Sequence, residues 1–273
     1  MGRRVERTLD MGMDREYQMD LSPRCGLVIG KTHGIGARSN QEDAFGISDT
    51  DDGVVDERGI LLILSDGMGG MSDGEKASTA TVVACLDYFE THEMSDEPWE
   101  ELQDMVYVAN EQVQRVLERS AGVGGATLAA VWIRDLRAYW ISVGDSRLYL
   151  YREGVLYQMN QEHNYGARLD SMAENGEISR RQAAEDPRRK ALTSYIGMDE
   201  VEEADWNDEE LVLQKGDYLL LMSDGVFGTL SEQEIVDALQ YPAYKAARHL
   251  EMQIESRHKR KQDNYTAMIA EVI

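Results

Sequence analysis

Six acidic positions in this chain have the neighbours expected of a metal-assisted hydrolytic site. Asp66 and Asp224 each end a run of large apolar residues that halts at Ser-Asp-Gly: Leu61-Leu62-Ile63-Leu64-Ser65-Asp66-Gly67 and Leu219-Leu220-Leu221-Met222-Ser223-Asp224-Gly225. Such runs read as buried strands, and Asp-Gly reads as the point where each strand turns. Glu42 and Asp43 precede a strand pattern, Asp145 sits in the tight link Val143-Gly144-Asp145-Ser146, and Asp263 precedes the last strand pattern. Carboxylates held at strand ends and gathered at one point make an oxygen-rich site suited to a hard divalent cation. Each Asp-Gly taken alone is an ordinary turn signal, and Asp52-Gly53 and Asp73-Gly74 are further examples. The recurrence of acids at strand boundaries carries the metal reading.

Composition narrows the alternatives. The 273 residues carry 28 Lys and Arg against 51 Asp and Glu, a formal charge of −23, with 42% apolar residues. A chain so acidic is a poor partner for nucleic acid, whose binding is driven by cations that displace counterions. That weighs against a two-metal nuclease. Much of the acid reads as solvated surface, as in residues 49–52 and 199–210. Cys25 and Cys85 form no disulfide framework and show no zinc spacing with the five His. The oxygen donors therefore point to Mg²⁺ or Mn²⁺. No stretch has the length of apolar sequence needed to cross a bilayer. Residues 1–21 mix Arg and Asp without an apolar core, so no secretory signal is expected there and a cytoplasmic location is.

The elements that must position these acids alternate in period. Strand patterns are expected at 25–31, 44–48 and 60–65, with a Gly-rich turn at His33-Gly34-Ile35-Gly36 that leaves His33 exposed. Apolar spacings of three and four predict helices at 75–91 and 97–119, the second with Pro98 in its first turn. The period then falls to two over 127–133, 138–143 and 147–151. Residues 162–190 read as helical, 211–213 and 218–222 as strands, 231–240 and 243–257 as a helix pair, and 266–272 as a closing strand. Gly124-Gly125 reads from spacing as a helix-to-strand turn, or as a place where a strand passes close to the acids. Residues 1–24 read as an arm or an extra strand. Short links among strands and paired helices predict an α+β domain of sheets covered by helix pairs.

Together these residues resemble a known family. Arg38-x-x-x-Glu42-Asp43, Asp66-Gly67-Met68-Gly69-Gly70, Gly124-Gly125-Ala126-Thr127, Gly144-Asp145-Ser146-Arg147, Ser223-Asp224-Gly225 and Asp263-Asn264 occur in the order and approximate spacing of the protein phosphatase 2C family, the metal-dependent serine/threonine phosphatases. Any one motif is weak, and six in order are strong. Met68 within its motif resembles the bacterial branch.

The resemblance implies a central β-sandwich of two antiparallel sheets flanked by pairs of helices, a four-layer α-β-β-α arrangement, with a flap at about 163–197 and one phosphatase domain over 25–273. It implies two catalytic Mn²⁺ or Mg²⁺ ions and hydrolysis of phosphoserine and phosphothreonine by in-line attack of a metal-bridging hydroxide, without a phosphoenzyme. Asp66 would bridge both ions and the Gly67 carbonyl would help hold one. Asp224 and Asp263 would bind the first ion, Glu42 would lie beside the second, and Asp43 would orient water. Asp145, with Asp224, matches a third and weaker metal site of bacterial members. Arg38 would grip the phosphate with a planar fork that Lys cannot reproduce, its plainer reading being a salt bridge, for instance with Glu42. Phosphoprotein substrates, a cognate serine/threonine kinase and a monomeric state follow from the same resemblance.

One departure stands out. Many eukaryotic relatives carry His where Met68 stands, and Met cannot donate a proton to a leaving alkoxide. The flap segment holds Arg180, Arg181, Arg188, Arg189 and Lys190, which read either as a solvated face or as a docking site for phosphoproteins. The rival reading from another class is a catalytically silent relative used as a metal-binding or interaction module. Such a chain would have lost ligands, and this one keeps Asp66, Asp145, Asp224 and Asp263.

Overall fold

The computed structural model describes residues 19–20, 26–48, 50, 58–69, 73–95 and 97–273. Cys25, Gly70, the acids at 49 and 51–52 and all of the expected N-terminal arm except 19–20 lie outside the described residues.

In chain order the strands are β1 (Met19–Asp20), β2 (Leu27–Gly34), β3 (Asp43–Ile47), β4 (Ile60–Gly69), β5 (Gly124–Ala126), β6 (Leu128–Arg134), β7 (Arg137–Val143), β8 (Arg147–Arg152), β9 (Val155–Gln158), β10 (Asp205–Trp206), β11 (Leu211–Val212), β12 (Tyr218–Met222) and β13 (Tyr265–Val272). The helices are α1 (Asp73–Thr91), α2 (Pro98–Ser120), α3 (Tyr165–Glu174), α4 (Arg180–Glu185), α5 (Asp224–Phe227), α6 (Glu232–Ala238) and α7 (Ala243–Ser256). Among the described residues the strands form two antiparallel sheets. One has the order β1-β2-β13-β12-β8-β9, and the other β10-β7-β6-β4-β3, with β11 on β7 and β5 on β4.

Side-chain alternation explains the layering. Successive residues of a strand face opposite sides of the sheet. In β4, β6 and β7, Leu61, Ile63, Leu128, Ala130, Trp132, Tyr139 and Ile141 pack in one cluster with α1 and α2 residues such as Phe89, Leu102 and Met105. Their neighbours Ile60, Leu62, Leu64, Ala129, Val131 and Trp140 turn the other way, against Leu148, Leu219, Leu221, Met268 and Ala270 of the second sheet. That sheet's remaining faces, Tyr149, Leu220, Met222 and Ile269, meet Ile235, Ala246, Leu250 and Ile254 of α6 and α7. The strands are apolar on both faces because both faces are covered. The expected four-layer α-β-β-α sandwich is present.

Local differences are instructive. The Gly-rich turn begins later than its composition suggested: β2 runs through Gly34, paired with Tyr265 of β13. Asp66-Gly67 is no turn, because β4 continues to Gly69 and Gly67–Gly69 pair with Gly124–Ala126. The Gly124-Gly125 pair is accordingly strand rather than a simple turn. At the second Ser-Asp-Gly the chain enters α5, with Ser223 at the N-cap position. Residues 162–190 hold two short helices rather than one, and Ser179 starts the second with a capping box.

Candidate active site

The strand parity that builds the core also aims the acids. Asp66 has the parity of Leu62 and Leu64, and Asp43 that of Phe45 and Ile47, so both face the space between the sheets at the end where apolar filling stops. They are direct cross-strand partners. Ser223, Thr266 and His33 share the parity of Leu221, Met268 and Ile29 on the opposing sheet.

A hydrogen-bond network crosses this end of the sandwich. Oδ2 of Asp43 accepts from Ser223 Oγ at 2.8 Å and from Thr266 Oγ1 at 2.6 Å. The Thr266 hydroxyl has one proton, which goes to Asp43. While Asp43 is ionised and takes that proton, His33 Nδ1, 2.9 Å from Thr266 Oγ1, is the donor of the contact between them. His33 is half-buried and set edge-on to Phe45, not exposed in a turn as its glycine neighbours suggested. Thr127 anchors the strand end at Asp66: its Oγ1 accepts from the Asp66 N–H at 2.8 Å, its own N–H donates to the Asp66 carbonyl at 2.8 Å, and its carbonyl accepts from Ser65 Oγ at 2.6 Å.

Asn264 holds the segment that carries Glu42. Its Oδ1 accepts from the Glu42 N–H at 2.9 Å, and its Nδ2 donates to the carbonyls of Ile35 and Asn40 at 2.9 and 3.0 Å. The Gly67 N–H in turn donates to the Glu42 carbonyl at 3.0 Å. A Cβ on Gly67 would lie 2.2 Å from the Gly74 carbonyl oxygen, and one on Gly225 would lie 1.8 Å from that of Asn264. No side chain fits at either place, which is how Asp66 and Asp224 are brought so close to their neighbouring segments. Gly144 takes φ +97 and hydrogen-bonds both ways with His163, donating to Nδ1 at 3.1 Å and accepting from the His163 N–H at 2.8 Å. That pins the turn bearing Asp145. The roles of Asn264, Thr127 and His163 had no signal in composition or spacing, because they act through backbone groups of distant segments.

The acids press on one another. Burial, followed by the charges of Asp43, Asp224, Asp145 and Asp263, drives the Asp66 carboxyl well above the usual range. Burial raises Asp43 to about 7 against the opposing pull of its two hydroxyl donors. Asp145 rises to about 6 through burial and the charges of Asp224 and Glu162. Glu42 is raised by burial and partly relieved by Arg38. All six acids thus lie within electrostatic reach of this end of the sandwich. Among the described residues no group of three or more His, Cys, Asp or Glu side chains stands placed to hold a metal ion as it is.

Two cations of the chain stand on the cluster instead. Arg38 Nη2 is 2.7 Å from Asp263 Oδ2, so its salt bridge is with Asp263 rather than Glu42. Lys190 Nζ is 2.9 Å from Asp224 Oδ2. The centre therefore attracts positive charge, and its donors are all oxygen, the set that suits Mg²⁺ or Mn²⁺. Buried carboxylates that repel one another gain most from a divalent cation, so these residues fit the ions implied by the sequence resemblance. Two clefts flank the centre. One of about 600 Å³ is lined by Met68, Gly69, Asp73, Val123 and Tyr195. The other, of about 620 Å³, includes Asp145, Arg147, Arg189, Lys190, Asp224 and Phe227.

The chain as a whole is similar to known proteins. The chain is 30% identical over 215 residues to the serine/threonine protein phosphatase PstP of Mycobacterium tuberculosis, an alignment covering 78% of this chain and 40% of PstP. The chain thus spans well under half the length of that relative. The crystal structure of Mycobacterium tuberculosis PstP/Ppp superposes with a TM-score of 0.75 at 27% identity, covering 90% of this chain and 98% of that one. A structure of the PstP catalytic domain in complex with two manganese ions superposes with a TM-score of 0.71, again at 27% identity and covering 90% and 98% of the two chains. A sequence profile of the family described as Protein phosphatase 2C matches residues 29–261. With a profile match over most of its length and the same two-sheet fold as these structures, the chain belongs to the protein phosphatase 2C family.

Proposed function

We propose that this protein is a metal-dependent phosphoprotein phosphatase that hydrolyses phosphoserine and phosphothreonine. The observation that carries the reading is the set of mutually repelling carboxylates at one end of the sandwich, each acid in the order of the family's motifs. Asp66, Asp224, Asp263 and the Gly67 carbonyl would hold the two catalytic Mn²⁺ or Mg²⁺ ions, with Glu42 beside the second and Asp145 at a third position. When bound, such ions neutralise a phosphate dianion and acidify water at neutral pH. Asp43, with Oδ2 occupied by Ser223 and Thr266, keeps Oδ1 free of those donors to orient the attacking water. Arg38 would receive the phosphate, exchanging its exposed pair with Asp263 for a bidentate contact to phosphate oxygens. Met68 supplies no proton, so the leaving alkoxide would take its proton from water or from another residue.

Substrate phosphoproteins, a cognate serine/threonine kinase, bacterial signalling, a cytoplasmic location, a monomeric state and the division into an N-terminal arm and one domain with a flap at about 163–197 belong to the same proposal. The location and the arm rest on the sequence pattern, and the others on the family resemblance. Among the described residues no helix is long and apolar enough to cross a membrane. The deciding experiment is release of phosphate from phosphoserine and phosphothreonine peptides with Mn²⁺ and with EDTA. Turnover that requires Mn²⁺ is expected, and no turnover under either condition would favour a silent phosphatase-like module.

A further inference from the structure

The basic segment 180–190 resolves into individual partners. Arg181 pairs with Glu185 at 2.9 Å, Arg188 with Asp186 at 2.8 Å and Arg189 with Asp170 at 2.7 Å. These three pairs close within the flap segment. Lys190 instead leaves it and crosses to Asp224 at the start of α5. Its side chain is 86% exposed while that of Asp224 is 25% exposed, so the ammonium sits on the carboxylate from the solvent side. Both residues line the same 620 Å³ cleft beside Asp145. The charge of Lys190 also acts on Asp263 and Asp145. It therefore addresses three of the acids that the proposed function assigns to metal.

We propose that Lys190 is a tethered competitor of the metal centre, an ammonium that shares Asp224 with the divalent cation and couples cation binding to release of residues 186–192 from the end of the sandwich. The inference rests on the metal-centre reading above. The chemistry favours Lys for such a part. Its ammonium is a compact point charge on a flexible stem, able to follow one carboxylate oxygen and to let go of it. An exposed ion pair is a weak interaction, enough to bias the segment and too little to exclude a divalent ion. Residues on either side are tied down independently: the Ala191 carbonyl accepts from the Tyr165 N–H at 2.8 Å, and the Arg189 carbonyl from the Gly166 N–H at 2.8 Å. Loss of the Lys190 contact would thus free the segment's link to α5 while these bonds keep it on the start of α3. Of the five cations read from the sequence as a solvated face or a docking site, Arg181, Arg188 and Arg189 thus form pairs within the segment and Lys190 links it to the active site.

The test uses the full chain, stripped with EDTA, as wild type, Lys190→Met and Lys190→Arg. Mn²⁺ binding is measured from the electron paramagnetic resonance of free Mn²⁺, and amide hydrogen exchange is followed over residues 186–192. Lys190→Met should bind its most affected Mn²⁺ about two- to fivefold more tightly, the factor that an exposed pair of this strength represents. Exchange in the segment should rise on Mn²⁺ addition in the wild type, be already raised in Lys190→Met without metal, and follow the wild type in Lys190→Arg. Unchanged or weaker Mn²⁺ binding by Lys190→Met, or exchange that ignores both metal and substitution, would overturn the inference. Wild type that binds no Mn²⁺ would overturn the metal-centre reading itself and this inference with it, an outcome distinct from equal binding by all three proteins.

Discussion

Asp43 and Asp66 stand directly opposite each other on β3 and β4, both on the face turned toward the second sheet. Like charges in directly opposed positions destabilise a strand pair. Here the repulsion is compounded by burial and by Asp224, Asp145 and Asp263. A pair arranged at such cost makes sense where a cation offsets it.

The first expected outcome is a pH dependence of stability with a definite sign. Asp43 is raised to about 7 and Asp145 to about 6, whereas an unfolded Asp titrates near 3.9. Between these values the folded protein binds more protons than the unfolded chain, so stability falls as pH rises. In EDTA the melting temperature should decline as pH rises from about 4 to about 7. Mn²⁺ should restore it most at the upper end. Scanning calorimetry across that range, with and without Mn²⁺, measures both. A melting temperature that climbs through this window in EDTA would contradict the buried-acid arrangement.

Asp66→Asn removes one charge of the mutually repelling set while keeping its shape. In EDTA the variant should melt above the wild type, because repulsion among the acids is relieved. Its stabilisation by Mn²⁺ should shrink, and turnover of a phosphopeptide should drop by about two orders of magnitude or more, the scale on which preorganised electrostatic groups act. Thermal shifts with and without Mn²⁺, together with steady-state kinetics, separate the two effects.

Arg38→Lys keeps the charge beside Asp263 and loses the planar fork. KM for a phosphopeptide should rise about fivefold with Mn²⁺ affinity little changed, as expected when a bidentate contact becomes a point charge. Steady-state kinetics and Mn²⁺ titration of the same preparation check it. An unaltered KM would leave Arg38 as the salt-bridge partner of Asp263 alone.

Much of this was legible in the sequence, for reasons that particular residues make plain. Two-sided burial produced unbroken apolar runs at Leu61–Leu64 and Leu219–Met222, and these marked the central strands. The six motifs marked the acids. What failed was local chemistry read without its partners. Asp66-Gly67 looked like a turn because Asp-Gly commonly is one, yet Ala126 and Thr127 supply backbone partners that carry β4 onward. Asp224-Gly225 looked the same and became the first turn of α5. Lys190 looked like one of five equivalent cations, and only the fold reveals that its partner is Asp224. Asn264 joins β13 to the segment 35–42 through contacts more than 200 positions apart in sequence, which no local pattern announces.

The final expectation concerns Gly225, which lies between the two acids assigned to the first ion. A Cβ there would sit 1.8 Å from the Asn264 carbonyl oxygen and 3.1 Å from the Tyr265 Cα. Both are backbone atoms, one just before and one at the start of β13, whose register is fixed by pairing with β2 and β12. Gly225→Ala therefore cannot be absorbed by a rotamer change. Either α5 moves outward, taking Asp224 from Asp263, or the end of β13 shifts and disturbs the Asn264 clamp on Glu42. Overpacking of this kind costs about 1–3 kcal/mol, a loss of roughly 2–4 °C in melting temperature per kcal/mol for a domain slightly smaller than this one. Activity should fall more steeply than stability, because both routes separate ligands while leaving the core clusters intact. The control is Gly154→Ala, at a glycine with φ +87 and nothing within 4 Å of a built Cβ, where some strain in stability but no loss of Mn²⁺-dependent turnover is expected. Equal retention of turnover in both variants would show that the separation of Asp224 from Asp263 is not held by this contact.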